Sequence, residues 1–153
     1  MALMSGAENW QSTEKNGMKF TWKMEGDYME CIVESPGKGW IAIGFNERNT
    51  IVGSNLIMGA AEKGHFKMSD RYVVKFGQHE SVLTLGVNEA LLNREVIENK
   101  EGTIMKFKIK RKNIDQYHLN LEKGKSIYVW LAYSMEDDFD HHSIMRTSIQ
   151  INL

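Results

Sequence analysis

Apolar and polar side chains alternate along most of this chain with a period of two, the spacing of β-strands. In the run 18–24, Met18, Phe20, Trp22 and Met24 share one face and Lys19, Thr21 and Lys23 the other. After the turn Glu25-Gly26-Asp27, Met29, Cys31 and Val33 mark the inward face of a second run. Two such runs around a Gly/Asp turn predict a hairpin. The segment Ser35-Pro36-Gly37-Lys38-Gly39 is a turn signal. Two later runs, 40–45 and 126–134, are apolar on both faces, the mark of strands covered on both sides. Gly44 inside the first predicts a bulge or a close approach by another group. The last run, 147–153, alternates cleanly, with Ile149, Ile151 and Leu153 on one face. Further strands are predicted over 57–61, 71–76, 81–87, 95–99 and 103–111. A short helix is predicted over 88–94, and a loop with a helical turn over 113–121. The sum is nine to ten short strands with turn signals every eight to twelve residues. That spacing predicts an all-β, antiparallel β-sandwich, immunoglobulin-like in general architecture. It occupies one domain, residues 15–153, after a flexible lead-in of residues 1–14.

Composition narrows the classes. At 153 residues, 42% apolar and 25% charged, the chain can bury a core without disulfides. A net charge of −1 gives no reason to expect nucleic acid as a partner. The row Lys106, Lys108, Lys110, Arg111 and Lys112 alternates with Met105, Phe107 and Ile109 and reads as the solvated face of a strand. Cys31 is the single cysteine and sits in an inward alternation, as a buried inert thiol would. No apolar run is long enough to span a membrane. The opening MALMSGAENW lacks the basic start and apolar stretch of a leader, which leaves a cytoplasmic protein or a leader lying upstream as the expectations.

Candidate chemistry gathers in the connection between the last two strands. It carries Asp137, Asp138 and Asp140, the adjacent pair His141 and His142, and Arg146. An imidazole can bind heme iron, zinc or copper, or move a proton near neutral pH. Adjacent residues of an extended segment point to opposite faces, so one histidine at most is expected to enter a given pocket. A two-histidine metal site would need His65, His79 or His118, and no ligand spacing supports one. The aspartates read as a solvated turn, with Arg146 paired to one of them. Trp40, Tyr72, Trp130 and Tyr133 offer flat faces for a ligand, with core packing as the alternative for each. No motif for nucleophilic, phosphate or zinc-protease chemistry occurs, so catalysis is not expected.

Three segments carry a family resemblance. The strand Gly39-Trp40-Ile41-Ala42-Ile43-Gly44-Phe45 resembles the GW-A-GF strand of DOMON domains, and Ile51-Val52-Gly53-Ser54-Asn55 resembles their M-x-G-S-D/Q segment. Ser69-Asp70-Arg71-Tyr72 is similar to their D-x-Y strand start. The resemblance covers about residues 15–153. It implies a ligand-binding sandwich with a pocket between its sheets that holds heme b or a sugar-like molecule. It also implies an extracytoplasmic setting and, for a heme protein, electron transfer with a redox partner protein. Heme-binding members use a methionine of the M-x-G-S segment and a late histidine as iron ligands. Ile51 stands at that methionine position, Met58 lies seven residues on, and His141 or His142 matches the late histidine. The implied cofactor site is therefore His141, His142, Met58, Trp40 and Trp130, with the histidines as metal ligands. The alternatives are a carbohydrate-binding or sensing module, or an interaction domain whose pocket is filled by its own side chains.

Overall fold

The computed structural model describes residues 9–113 and 115–153. Among these residues there are eleven strands: β1 (Gln11–Lys15), β2 (Met18–Glu25), β3 (Tyr28–Ser35), β4 (Ile41–Asn46), β5 (Asn55–Glu62) and β6 (His65–Lys75), then β7 (Gln78–Ser81), β8 (Leu91–Asn99), β9 (Gly102–Lys110), β10 (Ser126–Tyr133) and β11 (Met145–Asn152). They form two antiparallel sheets, ordered β1-β2-β3-β9-β8 and β11-β10-β4-β5-β6-β7. The chain is an all-β sandwich, as its alternation predicts.

The core between the sheets is filled. Met18, Phe20, Met29, Cys31, Val33 and Met105 of one sheet meet Ile41, Ile43, Ile57, Ile127, Val129 and Leu131 of the other, all fully buried. Burial pushes the Cys31 thiol well above its ordinary pKa, as an inert core cysteine requires. The outer face of the five-stranded sheet is a checkerboard of charge. Lys23 lies 3.7 Å from Glu25 and 3.9 Å from Glu30, and Lys108 pairs with Glu25. The lysine row is thus the solvated face it resembles, and exposed pairs of this kind add little stability each.

Four local expectations are corrected. Residues 11–14, expected in the flexible lead-in, form most of β1 on the edge of the first sheet, whereas residues 1–8 of that lead-in lie outside the described residues. The helix expected over 88–94 is absent, because β8 starts at Leu91 and pairs with Ile109. A two-turn helix is marginal by itself, and burying Ala90 and Leu91 against β9 outweighs it. Asn93 takes a left-handed backbone, φ 53°, where the register of β8 shifts. The strand expected over 81–87 ends at Ser81 and becomes a turn, and residues 111–113 and 115–125 contain no helical turn.

The long connection from β9 to β10 is fastened by a buried ion network. The His118 side chain, 1% exposed, donates from Nε2 to Oδ2 of Asp70 at 2.6 Å. Its Nδ1 donates to both oxygens of Asp115 at 2.9 Å. Asp70 is fully buried and also accepts from Asn55 Nδ2 at 2.6 Å and from the Ala90 amide at 2.8 Å. Burial by itself pushes the His118 pKa down, but the hydrogen bonds and charges of Asp70 and Asp115 outweigh it and leave it raised. A raised folded pKa means stability that is complete below about pH 6.5 and is lost as pH rises through the folded value. Thermal melts between pH 5.5 and 9 should therefore show a decline above neutrality that His118→Asn flattens. The variant should be less stable by roughly 3 kcal/mol at pH 6, because it leaves Asp70 buried without its partner. Parallel pH profiles for the two proteins would rule this account out.

Candidate functional site

Strands β4 and β10 are apolar on both faces for a physical reason. Their inward residues fill the intersheet core, and their outward ones, Ala42 and Ala132, join Trp40, Leu56, Met58, Ala60 and Val73 in a second buried cluster on the far side of the six-stranded sheet. The register aligns Ala132 with Ala42 and Ala42 with Met58, so small side chains make a flat floor beside the thioether. Gly44 sits in an unbroken ladder between Trp130 and Leu56, with no bulge. A Cβ there would lie 3.3 Å from Trp130 Cβ, so the glycine leaves room for the indole.

The roof is the connection from β10 to β11, residues 134–144. Phe139 packs against the cluster, with Lys67 Nζ 4.4 Å and the Arg71 guanidinium carbon 5.9 Å from its ring centre. The Trp40 indole N–H donates to the His141 carbonyl at 3.2 Å, and the Trp40 amide donates to the Glu136 carbonyl at 2.8 Å. A Cβ at Gly39 would collide with the backbone of Ser134 and Glu136. The Gly39-Trp40 pair is thus the point where the roof is tied down.

Between floor and roof lies a pocket of about 130 Å³. Trp40, Met58, His141 and His142 all line it, as do Ile51, His79, Asp140 and Arg146. The site therefore lies outside the sandwich, beneath a loop, and the expected pocket between the sheets is replaced by packed core. Trp130 is not among the lining residues; its half-buried ring lies 6.0 Å from the Arg146 guanidinium carbon. Tyr72 is elsewhere, packed edge-on against Tyr117 at 4.9 Å, and Tyr133 packs on the intersheet core. His118 is committed to Asp70 and Asp115. Arg146 makes no ion pair with Asp137, Asp138 or Asp140 and stacks instead on Phe76 and Trp130. Among the described residues, no three histidine, cysteine, aspartate or glutamate side chains converge as a zinc or copper site needs.

His79, weighed in the sequence only as a helper for a two-histidine metal site, is a pocket residue. Its Nδ1 accepts from Arg71 Nε at 2.7 Å. Burial, and then the Arg71 charge, hold its pKa below the usual histidine value, so the ring is neutral at pH 7. Only the sheet register reveals it, since Val73 of β6 faces His79 of β7.

The chain belongs to the DOMON domain family, whose model matches residues 14–134. The match is to a class of ligand-binding, non-catalytic modules. No curated protein matches the chain.

One roof residue has a pKa raised toward neutrality. Burial pushes the Asp137 carboxyl up to about 6, helped by its hydrogen bond and charge contact with Glu62 at the end of β5. Its Oδ1 is buried and has no hydrogen-bond partner. A carboxyl with a raised folded pKa stabilises the closed form at low pH, and that contribution is lost as pH rises through about 6. Above it, two carboxylates repel across the edge of the roof. Hydrogen-exchange protection of residues 135–144 should fall between pH 5 and 7.5 in the parent and stay level in Asp137→Asn. An equal fall in both would remove Asp137 from the control of this loop.

Proposed function

We propose that this domain binds heme b in the pocket under the 134–144 loop and works as an electron-transfer module. The supporting observation is that the Met58 thioether, 1% exposed, lines the same pocket as His141 and His142. Thioether and imidazole are the axial donor pair of many electron-transfer hemes. Met58 takes the part that the resemblance assigns to the position of Ile51, which contributes an apolar wall. The floor of Ala42 and Ala132 suits a planar molecule, because larger side chains there would stand up from the sheet. Bound heme would supply one-electron redox chemistry.

The closed pocket, about 130 Å³, is smaller than the roughly 300–1,000 Å³ of most ligand sites. A porphyrin therefore enters by displacing the roof, which is tied at separate points: the Gly39 amide, the amide and indole of Trp40, the grip on Phe139 and the Asp137–Glu62 contact. Exposed Phe76 and Ile144 neighbour lining residues in the chain and offer apolar footing for a redox partner protein. The family's usual extracytoplasmic setting belongs to the same reading. Sugar recognition by stacking has less support, since Trp40 is 4% exposed and Arg146 covers Trp130.

Hemin added to the purified protein should give a sharp Soret band with one-to-one stoichiometry. His141→Ala or His142→Ala should shift it or weaken affinity at least tenfold, about 1.4 kcal/mol. Met58→Leu should leave heme bound with an altered spectrum. No Soret change on titration would refute the heme reading.

A further inference from the structure

We propose that Arg146 makes the pocket selective for apolar ligands that carry a carboxylate or similar anionic group. The inference deepens the reading above and rests on its pocket, though not on iron. Arg146 lies on β11 opposite Ala132, beside the flat floor, and lines the cavity. Its guanidinium carbon is 5.4 Å from the Phe76 ring centre and 6.0 Å from that of Trp130. Two aromatic rings carry the cation while leaving its in-plane N–H donors unused.

The neighbouring cations are committed. Arg71 donates to His79 Nδ1, to Ser69 Oγ and to the His79 carbonyl, and Lys67 rests on Phe139. The one carboxylate lining the pocket, Asp140, forms no ion pair with Arg146, and its charge acts on Arg71 and His79. Among the described residues, Arg146 has neither an ion-pair partner nor a side-chain hydrogen bond. A guanidinium matches a carboxylate in a two-bond fork, so an acid head beside an apolar body complements the site. Neutral His79 adds no positive charge at neutral pH that would duplicate this role.

The test compares iron-free protoporphyrin IX with its dimethyl ester by fluorescence titration, in the parent, Arg146→Met and the control Lys123→Met. Protein melts verify folding, and Arg146→Lys serves as a charge-retaining second variant. The parent should prefer the free acid by about tenfold, the strength of one charge-assisted hydrogen bond. Arg146→Met should abolish that preference without weakening ester binding, and Lys123→Met should keep it. Arg146→Lys should restore part of it. A preference that is absent in the parent, or survives in Arg146→Met, overturns the inference and leaves the heme reading to its Soret band. If neither porphyrin binds, the anionic probe anilinonaphthalene sulfonate and the neutral probe Nile red decide. Loss of the former alone in Arg146→Met upholds anion selectivity while the heme reading fails. Equal behaviour of the two probes, or no binding of either, overturns both.

Discussion

The six-stranded sheet has to be covered on both faces. One face packs on the five-stranded sheet through Ile41, Ile43, Ile57, Val129 and Leu131. The other exposes Ala42, Leu56, Met58, Val73 and Ala132, and a bare apolar surface of that kind is costly in water. The chain covers it with a loop, the 134–144 segment, rather than with a third sheet. A loop has no ladder of its own to hold it, so the cover is tied at separate points. Gly39 lets the backbone of Ser134 and Glu136 come close, Trp40 holds the His141 carbonyl, and Lys67 and Arg71 grip Phe139. A cover held this way encloses a pocket beneath it.

Electrostatics divide along the same line. Far from the pocket, the charge pairs on the five-stranded sheet are exposed and contribute chiefly solubility. Buried charge is concentrated at His118, where two aspartates hold one imidazolium and close the end of the sandwich. Around the pocket the groups are half-exposed and their protonation is tuned by neighbours: His79 is kept neutral beside Arg71, and Asp137 is kept protonated beside Glu62 to a higher pH than usual. The rigid end of the molecule thus depends on a complete ion network. The pocket face depends on contacts that single protonation events can weaken.

Much of this was legible in the chain. Alternation located the hairpin β2–β3 and the strands β9, β10 and β11 nearly to the residue, because each has one face in a packed core. Two-sided apolar character in 40–45 and 126–134 announced a second cover over the same sheet, though not its identity. The glycine-tryptophan strand pointed to the family whose model then matched residues 14–134. Local reasoning failed at 88–94, where helix propensity was overruled by pairing with β9, and at Arg146, whose partners are rings from the neighbouring strand β10 and the β6–β7 turn.

By itself, then, the sequence determined the fold class and the core faces, and it singled out the loop that roofs the pocket. Those follow from period, turn residues and residue chemistry, which are local properties. Only the tertiary structure decided where the pocket lies, that Met58 shares it with His141 and His142, and that His79 joins them while His118 does not. Those facts depend on strand order and register, which bring together residues up to about a hundred positions apart, such as Trp40 and His141. No window of the chain contains that pairing, because it is made by the sheet that Gly39 and the 134–144 loop close over.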